Sequence, residues 1–281
     1  MRDPGPARGV LTAKRPHGDH VHQRLGVEGE LLSDHVAHFW WVSWDLRGKP
    51  PFVATTLPHP TLHLIYEGTK AEAHGVPRER FRRVLRGRGR VFGIKFRPAM
   101  AQQWLGSSMA AVTGKRFAAS RLLGPALARE VARIVRSANE PEACARAVEQ
   151  VLTAPALVQE NVAVRDLVER MAGDPSLTRV EQVAQLAGLD VRTLQRRFLR
   201  LVGVSPKWVL QRYRLHEAAA HLQGARSVGE VAAAAGYFDQ AHFVRDFKRV
   251  VGVAPSAYAQ KKTAATREDD RRRDFRRTAE R

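Results

Sequence analysis

One pattern near the C-terminal end constrains this chain more than any other. The segment VEQVAQLAGLDVRTLQRRFLRLVGVSP, from Val180 to Pro206, returns as VGEVAAAAGYFDQAHFVRDFKRVVGVAP, from Val228 to Pro255. Leu194 answers to Phe243, Arg196 to Arg245, Phe198 to Phe247, Gly203 to Gly252 and Pro206 to Pro255, each 49 positions on. Gly188 answers to Gly236 at 48, so the second copy has one extra residue in its turn. A single recurrence is a duplicated motif and not a solenoid array.

Each copy has the pattern of a helix, a tight turn and a second helix. A short Ala-rich helix (Val180 to Ala187, then Val228 to Ala235) ends at a glycine able to take positive φ. Asp190 or Asp239 follows, placed to cap the next helix. Inside that helix Leu194 and Phe198, or Phe243 and Phe247, are four apart and share an inward face. The outward face carries Arg192, Gln195 and Arg196 in the first copy and Gln240, His242 and Arg245 in the second. Guanidinium and carboxamide groups there suit bidentate contacts to guanine or adenine edges in a major groove. Arg197, Arg200 and Lys248 suit phosphate contacts, which set affinity without reading sequence. Between the copies, Ser205-Pro206 is a cap and a helix-starting proline. The helix they open, running to about Leu222, makes a rod of ~16 residues and ~24 Å. Such a rod can hold two reading helices for successive major grooves, which lie ~34 Å apart.

These residues carry a resemblance. LAGLDVRTLQRRFLRLVGVSP and AAGYFDQAHFVRDFKRVVGVAPSAY resemble the C-terminal DNA-binding domain of AraC/XylS-type transcription regulators, over roughly the last 100 residues. The resemblance implies a promoter-binding regulator with double-stranded DNA as partner. By position, Arg192, Gln195 and Arg196 match the family's first base-reading face, and Gln240, His242 and Arg245 its second. More loosely, FWWVSWDLRGKPP, LPHPTLHLIY, YEG at Tyr66 and VFGIKFRPAMAQQWLG resemble the sensor-type domain found ahead of some AraC-type regulators. That implies a regulatory half. A small-molecule effector, a homodimer and, for an activator, RNA polymerase are the further partners such a regulator admits. His59 and His63 stand where that domain often has a Pro-Asp-Gly turn; exposed loop or edge positions are expected for them, with effector contact as the alternative.

Charge supports an anionic partner but does not locate it. The formal net charge is +19 over 281 residues. Residues 176–260 hold +6 of it, 261–281 hold +4, and the first 175 hold +9. Charge alone would equally suit a non-specific architectural DNA binder, the main alternative function. The Arg-rich run Pro77 to Arg90, with seven arginines against Glu79, is expected to be a solvated loop or hairpin.

Enzyme and metal chemistry find little footing. The lone Cys144 lies on an apolar-periodic helix and is read as a small core residue. A Cys-dependent DNA alkyl-repair fusion, the remaining alternative, needs an activated thiolate that this setting does not supply. No nucleophile elbow, phosphate loop or metal-binding helix motif occurs, so no catalytic residue and no cofactor are expected. His20-Val21-His22 with Glu28 is similar to the His-x-His and glutamate of metal-binding cupins, but the spacing is long and no second motif follows. No metal is expected there. No apolar run reaches the ~18–20 residues of a membrane span, and no signal-peptide layout begins the chain, so a cytoplasmic protein is expected.

The fold class that follows is α+β: a β-rich N-terminal domain, trailing helices, and an all-α C-terminal domain with two helix-turn-helix motifs. Short aromatic or alternating runs at 38–46, 52–68 and 90–98, cut by Gly and Pro, read as strands. Trp40, Trp41 and Trp44 are expected in a core, with ligand stacking as the lesser reading. Ala99 to Leu105, Leu122 to Ser137, Pro141 to Leu152 and Asn161 to Ala172 read as helices. The expected division is 1–24 disordered, 25–155 sensor-type domain with helices, 156–260 double helix-turn-helix domain, and 261–281 a charged, disordered tail.

Overall fold

The computed structural model describes residues 19–222 and 227–260. The expectations for 1–18 and 261–281 lie outside the described residues. The architecture is α+β: a β-rich N-terminal region, a layer of helices, and a helical C-terminal region.

The N-terminal region contains β1 (Asp19–Leu25), α1 (Glu30–His35), β2 (Val36–Leu46), β3 (Phe52–Thr56), β4 (His63–Glu67), β5 (Lys70–His74), β6 (Phe81–Leu85) and β7 (Gly87–Phe96). It continues with α2 (Ala101–Leu105), a 3-10 turn at Met109–Ala111, β8 (Arg116–Ala118), α3 (Ser120–Leu123), α4 (Pro125–Ser137) and α5 (Pro141–Val151). Six strands form one antiparallel sheet in the order β1-β2-β7-β4-β5-β8, while β3 and β6 pair as a separate two-stranded antiparallel sheet.

The pleat sorts the sheet into two unlike faces. On one, Phe39 and Trp41 of β2, Phe92, Ile94 and Phe96 of β7, and Leu64 and Tyr66 of β4 are buried. They join Val131, Ile134 and Val135 of α4 and Cys144, Ala145 and Val148 of α5 in the largest core. Each such aliphatic or aromatic side chain contributes about 1.5–3 kcal/mol on burial. On the other face, Trp44, Leu46 and Val91 meet Leu85 of β6, and Trp40 and Phe52 pack against them. Trp41 and Trp44 are therefore core, as their aromatic run suggested.

Four local expectations change. Residues 19–24 were placed in a disordered stretch, yet they belong to β1, paired to β2 from Asp19↔Asp45 to Leu25↔Phe39. A ladder of backbone hydrogen bonds holds this strand, and composition carries no trace of that. The expected helix Leu122 to Ser137 is two: α3 stops at Leu123, Gly124 takes φ 78°, and Pro125 opens α4. His63 sits at the start of β4, between β7 and β5, half-buried and not in an exposed loop or on an edge. The Arg-rich run is a short loop at 77–80, then β6 and the first residues of β7, which belong to different sheets and do not pair, so it is neither a plain loop nor a hairpin.

The helical region contains α6 (Gln159–Gly173), α7 (Val180–Leu186), α8 (Val191–Leu201), α9 (Pro206–His221), α10 (Val228–Ala234) and α11 (Gln240–Val251). It has two cores, and each borrows from the N-terminal region. The first gathers Val164, Val168, Leu194, Phe198, Val209 and Leu210 with Val76 and Ala99. The second gathers Leu215, Ala218, Val231, Phe243 and Phe247 with Leu57. The regions are further joined by Arg165–Asp34 at 2.7 Å, Arg97–Glu169 at 2.6 Å, and buried Asn161, which donates to the Ala99 carbonyl at 2.9 Å.

Candidate nucleic-acid interface

The rod α9 explains why two similar units fold as one body. Ser205 caps it by accepting from Trp208 N at 3.3 Å, and Pro206 supplies a preset φ at its first position. Its 16 residues are apolar along changing faces: Val209 and Leu210 enter the first core, Leu215, Ala218 and Ala219 the second. One rigid helix thus anchors both units, and neither can turn without disturbing it.

In each unit the turn is built by residue type. Gly188 and Gly236 take φ of 63° and 69°, a region costly to side chains with a Cβ. Asp190 then accepts from Thr193 N at 2.9 Å, and Asp239 from Ala241 N at 2.8 Å and His242 N at 3.3 Å. The Thr193 hydrogen bonds hold the Asp190 carboxyl below its usual range. Ser227 and Glu230 exchange a capping box at the start of α10. Leu194 and Phe198, then Phe243 and Phe247, are fully buried, which fixes the opposite helix faces toward solvent.

All six residues expected to read bases lie on those outward faces. Arg192, Gln195 and Arg196 on α8 and Gln240, His242 and Arg245 on α11 are exposed. His242 leans back toward its own helix, with Nε2 3.5 Å from Asp246 and its ring 5.3 Å from Tyr237. The three residues expected at phosphates divide. Lys248 is exposed. Arg197 and Arg200 converge on Glu160 of α6, Arg197 at 3.3 Å and Arg200 through a hydrogen-bonded ion pair. Glu160 was not singled out in the sequence, because its partners lie about forty positions away on another helix.

Two further residues went unremarked. Asp246 is 6% exposed yet serves as a hub: Gln211 of α9 donates to it at 2.8 Å, Arg249 at 2.6 Å and the Tyr237 hydroxyl at 3.3 Å. It ties the second reading helix to the rod. Burial pushes the Tyr237 hydroxyl up to about 12, so it remains a donor. Phe238 is the extra residue of the second turn, and its ring is wholly exposed, the extreme among the large apolar side chains described. The slip from 49 to 48 in the repeat was the signal for it.

Cys144 is buried, and burial pushes its thiol up to about 11, opposite to an activated nucleophile. Among the described residues, no group of three or more His, Cys, Asp or Glu side chains could hold a metal ion. No described helix is long and apolar enough to cross a membrane.

Comparisons with known proteins fall on the same two regions. Residues 183–261 match the family model described as a helix-turn-helix domain, and residues 29–118 match a domain of unknown function (DUF6597). An uncharacterized HTH-type transcriptional regulator of Haemophilus influenzae is 38% identical over 80 residues, 28% of this chain and 27% of that protein. The match therefore spans about a quarter of the relative's length. Among solved structures, the C-terminal domain of AraT, a response regulator from Geobacillus stearothermophilus, is 27% identical with a TM-score of 0.33, over 35% of this chain and 84% of that one. A probable AraC family transcriptional regulator from Rhodopseudomonas palustris is 28% identical with a TM-score of 0.32, over 36% and 96%. ToxT from Vibrio cholerae is 12% identical with a TM-score of 0.40, over 87% and 98%. Residues 183–261 of this chain are a helix-turn-helix domain of the AraC type, and residues 29–118 ahead of it a domain of the DUF6597 family.

Proposed function

We propose that this chain is a sequence-specific transcription regulator whose two helix-turn-helix units read successive major grooves at promoters, under the control of a small-molecule effector bound by the N-terminal region. The observation that carries the reading is the shared rod. Both reading helices expose Arg, Gln or His side chains while their buried faces grip opposite halves of α9. Arg196 and Arg245 are the proposed guanine readers, with Gln195 and Gln240 suited to adenine and Arg192 and His242 beside them. Phe238, wholly exposed ahead of α11, is the proposed contact to an apolar base feature such as a thymine methyl. Lys248 takes a phosphate role directly, whereas Arg197 and Arg200 take it by releasing Glu160. The functional division we retain is a regulatory part up to 155–160 and a DNA-reading part after it.

The test is selection of bound duplexes from a random-sequence pool at physiological salt. The reading predicts an enriched motif of two blocks about one helical turn apart. Tight binding with a steep salt dependence and no enriched motif would replace it with an architectural role.

A further inference from the structure

The fold sorts the arginines of the 77–90 run into two sets. Arg83 turns inward from β6, ion-paired with Glu67 and standing over the Trp44 ring at 5.4 Å. Arg90 donates to the carbonyls of Arg136 and Ala138, and Arg88 opposes Asp45 across β7 and β2. Arg80, Arg82 and Arg86 are exposed and, among the described residues, hold no ion pair. They occupy alternate positions along β6 and its two ends, so the pleat puts them in one outward row with Val84, itself 44% exposed.

This row begins at the second reading helix. On α11, Lys248 and Arg249 lie three and four residues after Arg245, and Gly252 lies seven after it, so all share one face. That face runs from a proposed base reader to the glycine against which the Arg80 guanidinium lies. The small sheet is fastened there twice more. Leu57, the residue after β3, is buried in the second core with Phe243 and Phe247. The Arg78 carbonyl accepts from Arg212 of α9 at 3.1 Å. Strand β6 is therefore carried by the second unit, and the basic face of α11 continues onto it.

The charge along this track is of one sign. Within 78–86 and 240–252 the exposed carboxylate is Glu79 alone, because Asp246 is buried. The first unit has no such track, since its counterpart glycine, Gly203, meets the uncharged Thr113. From Arg80 to Arg86 a strand spans ~20 Å. At ~3.4 Å per base pair that is the length of about six base pairs. Guanidiniums spaced along a regular strand suit phosphates, which are contacted without regard to sequence.

We propose that β6 is a third DNA-contact element, in which Arg80, Arg82 and Arg86 hold the phosphates of duplex flanking the second block, outside the two-block motif. The proposal rests on α11 being a DNA-reading helix. It gives the N-terminal region a direct share in DNA affinity, on one side of the site only.

The test is fluorescence anisotropy on the full chain with the duplex that wild type selects, ending at the outer edge of the second block or one helical turn (~10 base pairs) beyond it. Wild type is expected to bind the longer duplex roughly tenfold more tightly, with a log–log salt slope steeper by about 2 to 3. The same extension past the first block should add no more than about twofold. Arg82→Ala with Arg86→Ala should erase the length advantage, and Arg82→Lys with Arg86→Lys should keep most of it. Arg129→Ala with Arg136→Ala removes equal charge from exposed positions of α4 and should leave the advantage intact. Equal affinity for the two lengths, an advantage that survives loss of Arg82 and Arg86, or an equal gain past the first block would overturn the proposal. The row would then serve another polyanion. If wild type selects no sequence, base reading fails by itself. The Arg82 and Arg86 pair of alanines must still flatten the slope on random duplex by about 2, and an unchanged slope would overturn the track too. Position is read separately with an iron–EDTA cleaver tethered through Val84→Cys, since Cys144 is buried. Cuts are expected within about six base pairs outside the second block, and cuts elsewhere contradict the proposal.

Discussion

The guanidinium of Arg80, just ahead of β6 in the N-terminal region, lies against Gly252, the left-handed residue that ends the second reading helix. Gly203, its counterpart in the first unit, meets the same region through Thr113, whose hydroxyl donates to the Gly203 carbonyl at 2.8 Å. The same turn of each repeat is thus gripped by the domain that precedes them. Gly252→Ala meets a positive φ of 87° and the Arg80 side chain together. We predict a loss of at least about 1 kcal/mol in urea unfolding, from the backbone alone. In an Arg80→Ala background the same change should cost less, and the difference between the two is the steric part.

Glu160 restrains two arginines on the first reading helix itself. Glu160→Gln should release them to phosphates, strengthen binding to random duplex DNA several-fold at low salt, and steepen the salt dependence. Stability should change little, since these are partly exposed pairs. Fluorescence anisotropy across a salt series reads both effects.

Phe238 has no packing role to lose. Phe238→Ala should leave the unfolding midpoint unchanged within about 0.5 kcal/mol while weakening binding to a selected sequence. Equal loss on selected and random DNA would argue against a base contact.

Lys95 gives the fold a pH signature with a definite sign. Burial and the neighbouring Arg24 depress its folded value to about 8 from the usual 10.5, so between these values the unfolded chain holds more protons. Stability from this residue therefore rises as pH climbs from about 8 to 10. The gain is on the order of a few kcal/mol at most. Urea unfolding at pH 7.5 and 9.5 should show it in wild type and not in Lys95→Met.

Much of the reading surface was legible in the chain because duplication exposes it. A turn glycine, a capping aspartate and two inward aromatics recur together, and spacing alone then turns Arg192, Gln195 and Arg196 outward. What stayed hidden depends on distant partners. Glu160 earns its place from Arg197 and Arg200 on another helix, and Asp246 from Gln211 on the rod. His38, Lys95 and His63 are neighbours because β2, β7 and β4 lie side by side, an order no local pattern reveals. Strand β1 is similar: its His, Arg and Gln residues suggest disorder until β2 supplies the hydrogen bonds. Even the break at Gly124-Pro125 was visible, but helical periodicity on both sides concealed it.

The most direct test of the account compares Arg196→Ala and Arg245→Ala on the sequence that wild type selects, one base pair at a time. The account predicts that each substitution costs roughly 1–3 kcal/mol and erases preference within one block only, Arg196 in one and Arg245 in the other. If both weaken every sequence alike and leave the preferences intact, the two helices hold the backbone without reading bases, and the account fails.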